Sequence, residues 1–186
     1  MSSGGRTDPG GSSRELSAIL RKFLFLAVKN RLSETAVKPN PHITVAAVAR
    51  QGERFLMVEE APDGTARCLN QPAGHLEPGE TPLQAVTREC LEETAWQFRP
   101  DALLGVYTWH NPLNGQTFVR IAFVGECTGQ ERGRALDPDI LAVHWLTAAE
   151  LRDPAARLRS PLVLRAVEDY LAGRRYPLEL LVDLTV

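Results

Sequence analysis

Residues 74 to 96 read GHLEPGETPLQAVTRECLEETAW, and this stretch places five glutamates and an arginine on one loop and one helix. From Thr81 to Ala95 the apolar residues Leu83, Val86, Cys90 and Leu91 recur at helical spacing, which predicts one buried face. At ~100° per residue, Glu89, Glu92 and Glu93 fall together within one arc on the other side. Like charges three or four residues apart cost a helix roughly 0.2–0.5 kcal/mol per pair. A solvated acidic face is the plain alternative. A hard divalent cation gives the crowding a physical purpose, and magnesium, with manganese as a substitute, suits oxygen ligands best.

Composition sets bounds around this helix. A chain of 186 residues with 44% hydrophobic content supports one ordinary core plus an extension. The net charge of −2 and pI near 6.1 supply no basic field, which argues against nucleic acid as a partner. Cys68, Cys90 and Cys127 are odd in number, widely spaced and form no CxxC pair, so the expectation is reduced thiols in a cytoplasmic protein. The longest unbroken apolar run, Phe23 to Val28, is far short of the ~20 residues of a membrane span, so no stable membrane insertion is expected.

Two domains of unequal character follow, residues 1–38 and 39–186. Residues 1–13 are almost entirely Gly, Ser, Pro, Asp, Thr and Arg, too poor in apolar groups to offset ordering entropy. Residues 14–32 space Leu16, Ile19, Leu20, Phe23, Leu24, Ala27 and Val28 as a helix face, with basic residues off it. This predicts a basic amphipathic helix that packs on its own domain or touches an anionic surface. The Pro39 to Pro41 stretch breaks it. Beyond, Ile43 to Arg50 and Arg54 to Glu59 read as a hairpin turning at Gly52. Leu103 to Trp109, Thr117 to Glu126 and Ala142 to Leu146 read as further strands, and Pro161 opens a last helix running to about Ala172. Strands interleaved with helices predict an α/β class.

The residues Gly74, Glu80, Arg88, Glu89, Glu92 and Glu93 match the G-x5-E-x7-R-E-U-x-E-E box, with the apolar Cys90 at the usually aliphatic U, and on them the chain resembles the Nudix hydrolases. The family's next position is a glycine, here Ala95, where a side chain costs about 1–2 kcal/mol in the left-handed conformation. The resemblance implies an α/β/α sandwich with a mixed β-sheet, the box forming loop, helix and loop. It implies a magnesium-dependent hydrolase of small-molecule phosphoanhydrides. Glu92 and Glu93 would be metal ligands, joined by the backbone carbonyl of Ala73. Glu89 would ligate a further metal or act as general base, oriented by Arg88. Gly74 and Glu80 would shape the loop and the helix start.

Outside the box, members often recruit one more acidic ligand, and Glu126 at the end of its strand is the candidate. Arg120 shares its parity, but six residues at roughly 3.3 Å each separate the two by about 20 Å. Arg120 is thus not expected to grip a metal-bound phosphate, and it is a candidate for binding substrate elsewhere. His75 is a phosphate-binding candidate. Trp109, with Tyr107 two residues away, either stacks on a substrate ring or packs in the core. The segments NQPAGHLE (70–77), LRSPLV (158–163) and RRYPLE (174–179) resemble the bacterial NudJ-type phosphatases. That subgroup implies release of orthophosphate from nucleoside di- and triphosphates and from hydroxymethylpyrimidine pyrophosphate and thiamine diphosphate, and the expected state of the chain is a monomer. The rival expectations are a pyrophosphohydrolase acting on nucleoside triphosphates or ADP-ribose, and a non-catalytic binding module.

Overall fold

A computed structural model describes residues 40–61, 64 and 66–184. The leader of residues 1–13 and the basic helix of residues 14–32 lie outside the described residues. The chain forms β1 (His42–Gln51), β2 (Arg54–Glu60), β3 (Cys68–Asn70), β4 (Ala73–His75), α1 (Pro82–Thr94), β5 (Trp96–His110), β6 (Thr117–Gln130), β7 (Ile140–Thr147), α2 (Ala148–Arg152) and α3 (Pro161–Leu171). A short 3₁₀ turn, Leu178–Leu180, follows. The strands run in the order β3-β2-β1-β6-β5, with β4 against β1 and β7 against β2. The sheet is mixed, because β1 and β6 are parallel while the remaining pairs are antiparallel.

β1 shows why this is an α/β/α sandwich. Its sequence ITVAAVA is apolar on consecutive residues, the mark of a strand covered on both faces. Val45, Ala47 and Ala49 join a core with Ala85, Val86 and Cys90 of α1. Ala46 and Val48 join a second core with Val163, Ala166 and Val167 of α3. Among the described residues no helix is long and apolar enough to cross a membrane.

The expected hairpin is present, with Gln51 opposite Arg54 and Gly52 at a positive φ of 59°. β5 and β6 extend well beyond their expected limits, to Trp96 and Gln130. Pro100 hid the start of β5, since proline marks edges and irregularities, and three register shifts between Gln97 and Gly105 absorb it. β3 and β4 are three residues each, too short to display a period. α2 carried a readable signal, the Thr147/Glu150 capping box.

The helix α1 begins at a capping box of Thr81 and Gln84 and ends at Ala95, whose φ of 58° is left-handed. The exit geometry that glycine usually supplies is therefore kept by an alanine, with the Ala95 N–H bonded to the Leu91 carbonyl at 2.9 Å. At the C-terminus, Tyr176 exchanges two backbone hydrogen bonds with Leu103, so the RRYPLE segment closes onto β5. Asp169 anchors it from α3, accepting from Tyr107 Oη at 3.0 Å and from Arg165 Nε, with Arg174 Nε at 3.5 Å. Tyr107 thus packs within the fold and is not available to stack on a ligand.

Candidate active site

Arg88 organises the loop-helix unit. Its Nε and Nη2 bond both oxygens of Glu80 at 3.1 and 2.7 Å, and Nη1 donates to Glu89 at 2.8 Å and Glu92 at 3.0 Å. Nη2 also reaches the His75 carbonyl at 3.2 Å, tying the loop to the end of β4. Glu80 in turn accepts the Glu77 N–H at 2.7 Å, so its carboxylate is spent on holding the loop. Charge-assisted, bidentate pairing makes this clamp directional, and it holds Glu80 below the usual carboxylate range.

The three helix glutamates do not share one exposure. Glu89 and Glu93 are buried, at 8% and 7% exposure, because α1 lies under β4 and the loop before β7. Glu93 accepts the Ala73 N–H at 2.9 Å. Gly74 leaves the room that Glu89 occupies, since a β-carbon on Gly74 would collide with the Glu89 carboxyl. Burial, opposed by the Ala73 hydrogen bond and reinforced by Glu89, Glu60 and Asp137, pushes Glu93 up to about 9. Burial raises Glu89 as well, against the pull of Arg88.

Oxygens of Glu89, Glu92 and Asp137 lie within 4.8 Å of one another. Asp137 was not among the candidates from sequence. Its N–H donates to the Glu92 carbonyl at 3.1 Å, which docks the LDPDI loop on the helix. The signal was there in two aspartates flanking Pro138, but nothing local connects them to residues 45 positions earlier. Carboxylates this close, with Arg88 bonded to two of them and Arg134 acting on Asp137, form an all-oxygen donor set suited to a hard divalent cation.

Glu126 is not brought to this group. Its exposed carboxylate pairs with Arg99 at 2.9 Å. In register, Ile121 is the β6 residue opposite Val45, which faces Gly74, so Glu126 lies five residues farther along the strand. Parity placed Glu126 on a face; only strand register could place it along that face.

A cleft of about 600 Å³ opens beside Ala73 and Gly74. Thr44, Arg120 and His75 line it, with Thr44 directly between the other two across β4, β1 and β6. Arg120 is buried at 7% exposure and donates from Nη1 to Asn70 Oδ1 at 3.3 Å. Burial draws its pKa down to about 10, while Glu60 and Glu93 act to raise it. Arg120 therefore sits within the electrostatic reach of the box, which the expectation that it would not grip a metal-bound phosphate did not foresee. That expectation measured its distance from Glu126.

One register step away runs an aromatic row. His42 stacks on Phe118 at 4.9 Å and Phe118 on Trp109 at 5.7 Å. His75 Nε2 lies 3.2 Å from His42 Nδ1, and burial with that neighbour lowers the His75 pKa. A neutral imidazole contributes hydrogen bonding and ring surface to the wall, not a phosphate-binding charge. Trp109 and Phe118 both line the cleft.

The NUDIX domain family model matches residues 40–166. The chain belongs to the Nudix hydrolase family. The phosphatase NudJ of Escherichia coli K12 is 40% identical over 143 residues, which cover 77% of this chain and 92% of that protein. A solved NUDIX hydrolase from Nitrosomonas europaea is 48% identical with a TM-score of 0.75, covering 77% of this chain and 97% of its own. A MutT NUDIX hydrolase from Burkholderia pseudomallei is 25% identical with a TM-score of 0.59, over 70% of this chain and 98% of its own. In this Nudix hydrolase the Glu89 carboxyl lies against Gly74 and pairs with Arg88, and Glu92 and Asp137 border it.

Proposed function

We propose that this protein is a magnesium-dependent phosphohydrolase that releases orthophosphate from nucleoside di- and triphosphates and from thiamine-pathway pyrophosphates, hydroxymethylpyrimidine pyrophosphate and thiamine diphosphate among them. The observation that carries the chemistry is a carboxylate group beside a cleft containing a buried guanidinium, Arg120. The likeness to phosphatase NudJ supports the product and substrate class.

Glu89, Glu92 and Asp137 offer converging oxygens for the cation, and, as the family resemblance implies, Glu93 and the Ala73 carbonyl would complete the donor set. When bound, a divalent cation neutralises phosphoryl oxygens and lowers the cost of charge gathering on the leaving group. Glu89 takes the proton of the attacking water. Burial raises its proton affinity, and Arg88 fixes its Oε1 so that the carboxyl keeps its orientation. Water oxygen bonds to the terminal phosphorus as the bridging P–O bond breaks, and the electron pair leaves with the remaining phosphate. Arg120 binds phosphoryl oxygen, while Trp109 and His75 contact the organic part of the substrate from the cleft wall. Recognition centred on phosphate makes discrimination among organic groups modest.

The test is a panel of nucleoside triphosphates, nucleoside diphosphates, hydroxymethylpyrimidine pyrophosphate and thiamine diphosphate, with orthophosphate and pyrophosphate measured separately. Reaction in oxygen-18 water should place the label in orthophosphate. Pyrophosphate and nucleoside monophosphate as main products, with no turnover of the thiamine-pathway compounds, would replace this reading with a pyrophosphohydrolase.

A further inference from the structure

Among the described residues, four buried side-chain polar atoms have no hydrogen-bond partner: Thr44 Oγ1, Gln71 Oε1, Arg120 Nε and Ser160 Oγ. Thr44, Arg120 and Ser160 all line the cleft beside Ala73 and Gly74. A buried donor that has shed water and found no partner is costly and uncommon. Three lining one cleft point to a ligand that completes them.

Their convergence is built by three separate elements. Thr44 of β1 and Arg120 of β6 are direct partners in the parallel ladder, so their side chains stand on the same face about 5 Å apart. Ser160 is delivered by a strand-like segment in which Leu69 N–H bonds the Arg157 carbonyl at 2.7 Å and Arg159 N–H bonds the Leu69 carbonyl at 2.9 Å. That docking sets Ser160 near Asn70, the residue that holds Arg120. Gln71 braces the same corner, donating from Nε2 to the Val163 carbonyl at 2.8 Å.

Ser160 is also the N-cap of α3, an 11-residue helix, yet its hydroxyl makes no capping bond. An N-cap serine ordinarily gives its oxygen to a first-turn N–H. Here Pro161 has no N–H and the Val163 N–H goes to the Ser160 carbonyl at 3.2 Å. The hydroxyl is left for something else, at a helix end whose dipole favours negative charge. Arg120 stays charged at neutral pH even after burial lowers its pKa to about 10. Glu60 is also in the cleft, and Arg159 faces it at 3.9 Å.

A guanidinium donates only, and both hydroxyls are able to donate. The matching ligand group carries several acceptor oxygens and full negative charge. We propose that Thr44, Arg120 and Ser160 form a subsite for the unesterified terminal phosphoryl group of the substrate. Such a group offers three non-bridging oxygens to three donors, whereas an internal, doubly esterified phosphoryl offers two oxygens and a single charge. The subsite thus selects substrates that end in free phosphate over diphosphate diesters of the ADP-ribose kind. It rests on the phosphohydrolase reading for what the phosphoryl group is attached to.

The decisive measurement is titration of the full-length protein with inorganic phosphate at saturating magnesium, followed by calorimetry. Wild type should bind saturably. Thr44→Val and Ser160→Ala should each weaken phosphate by about tenfold, the scale of a hydrogen bond to a charged group, and Arg120→Gln should abolish it. Magnesium affinity should be unchanged in the two hydroxyl variants. Their melting temperatures should hold or rise, because each loses an unpaired buried hydroxyl; a hydroxyl serving only the fold would lower Tm. Preference in kcat/KM for a nucleoside diphosphate over ADP-ribose should shrink by a similar factor. Phosphate affinity unaltered in both hydroxyl variants, or no saturable binding by wild type, overturns the subsite. Should Arg120→Gln fail to fold, Thr44→Val and Ser160→Ala decide alone. Pyrophosphate as the product in the substrate panel would remove the reaction assignment and leave this titration to judge the subsite; flat titrations beside orthophosphate release would do the reverse.

Discussion

The carboxyl group of Glu89 fills the space that a β-carbon on Gly74 would need. The glycine at the head of the box is thus required for the position of a side chain 15 residues later. Gly74→Ala should fold, since only the end of a flexible side chain has to move, but Glu89 must leave its place. A displacement of this size costs about a hundredfold in turnover. Steady-state kinetics with a circular dichroism control checks this; a folded variant within a few-fold of wild type would show that Glu89 need not lie there.

Glu93 makes the cation-free protein sensitive to pH. Its folded pKa is raised to about 9 from an ordinary 4.5, so between those values the folded state holds more protons than the unfolded state. Stability is then fully present below about pH 4.5 and is lost as pH rises towards about 9. Magnesium should raise the melting temperature more at the alkaline end of this window than at the acid end, with proton release visible as a buffer-dependent binding heat. Glu93→Gln, which keeps an acceptor for the Ala73 N–H, should flatten the slope and lose turnover by orders of magnitude. A cation-free melting temperature that does not fall over the window counts against the assignment.

Asp137 and Glu126 separate two accounts of the acidic ligand outside the box. Asp137→Asn should weaken magnesium binding about tenfold without unfolding the protein, because only one oxygen of the converging set loses its charge. Glu126→Gln breaks an exposed pair with Arg99 and should leave both magnesium affinity and turnover as they were. Calorimetric titration of the two variants side by side decides, and the opposite ranking would return Glu126 to the site.

Ala95 holds a left-handed backbone at the exit of α1. Ala95→Gly should stabilise the protein by about 1 kcal/mol, the Cβ penalty being relieved while unfolded-chain entropy and a small buried methyl act against it. Thermal melting should show a rise of a few degrees with kinetics unchanged. A lower melting temperature would mean that the buried methyl contributes more than the strain removes.

The box was legible because its geometry is local. Helical spacing places Glu89, Glu92 and Glu93 together, and Arg88 reaches Glu80 from one turn of loop, whatever the rest of the chain does. The apolar run of β1 likewise read as a strand, and the structure covers it on both faces. Where the reading went astray, a tertiary quantity was missing: Glu126 had the right residue type at a strand end, but the register against β1 carries it away from Gly74. β3 and β4 escaped notice for a different reason, three residues being too few to establish alternation.

The sequence by itself therefore determined the box, the clustering of its carboxylates and the α/β class, since these rest on contacts between residues fewer than about 20 positions apart and on covalent spacing alone. The tertiary structure decided which residues outside the box meet it. Asp137 arrives through a loop docked on α1, Arg120 through the parallel pairing of β1 with β6, and Ser160 through the docking of residues 157–159 beside Leu69. Each of these depends on strand order and register, which are set by how the two apolar faces of the sheet are covered, and no single segment of chain encodes that.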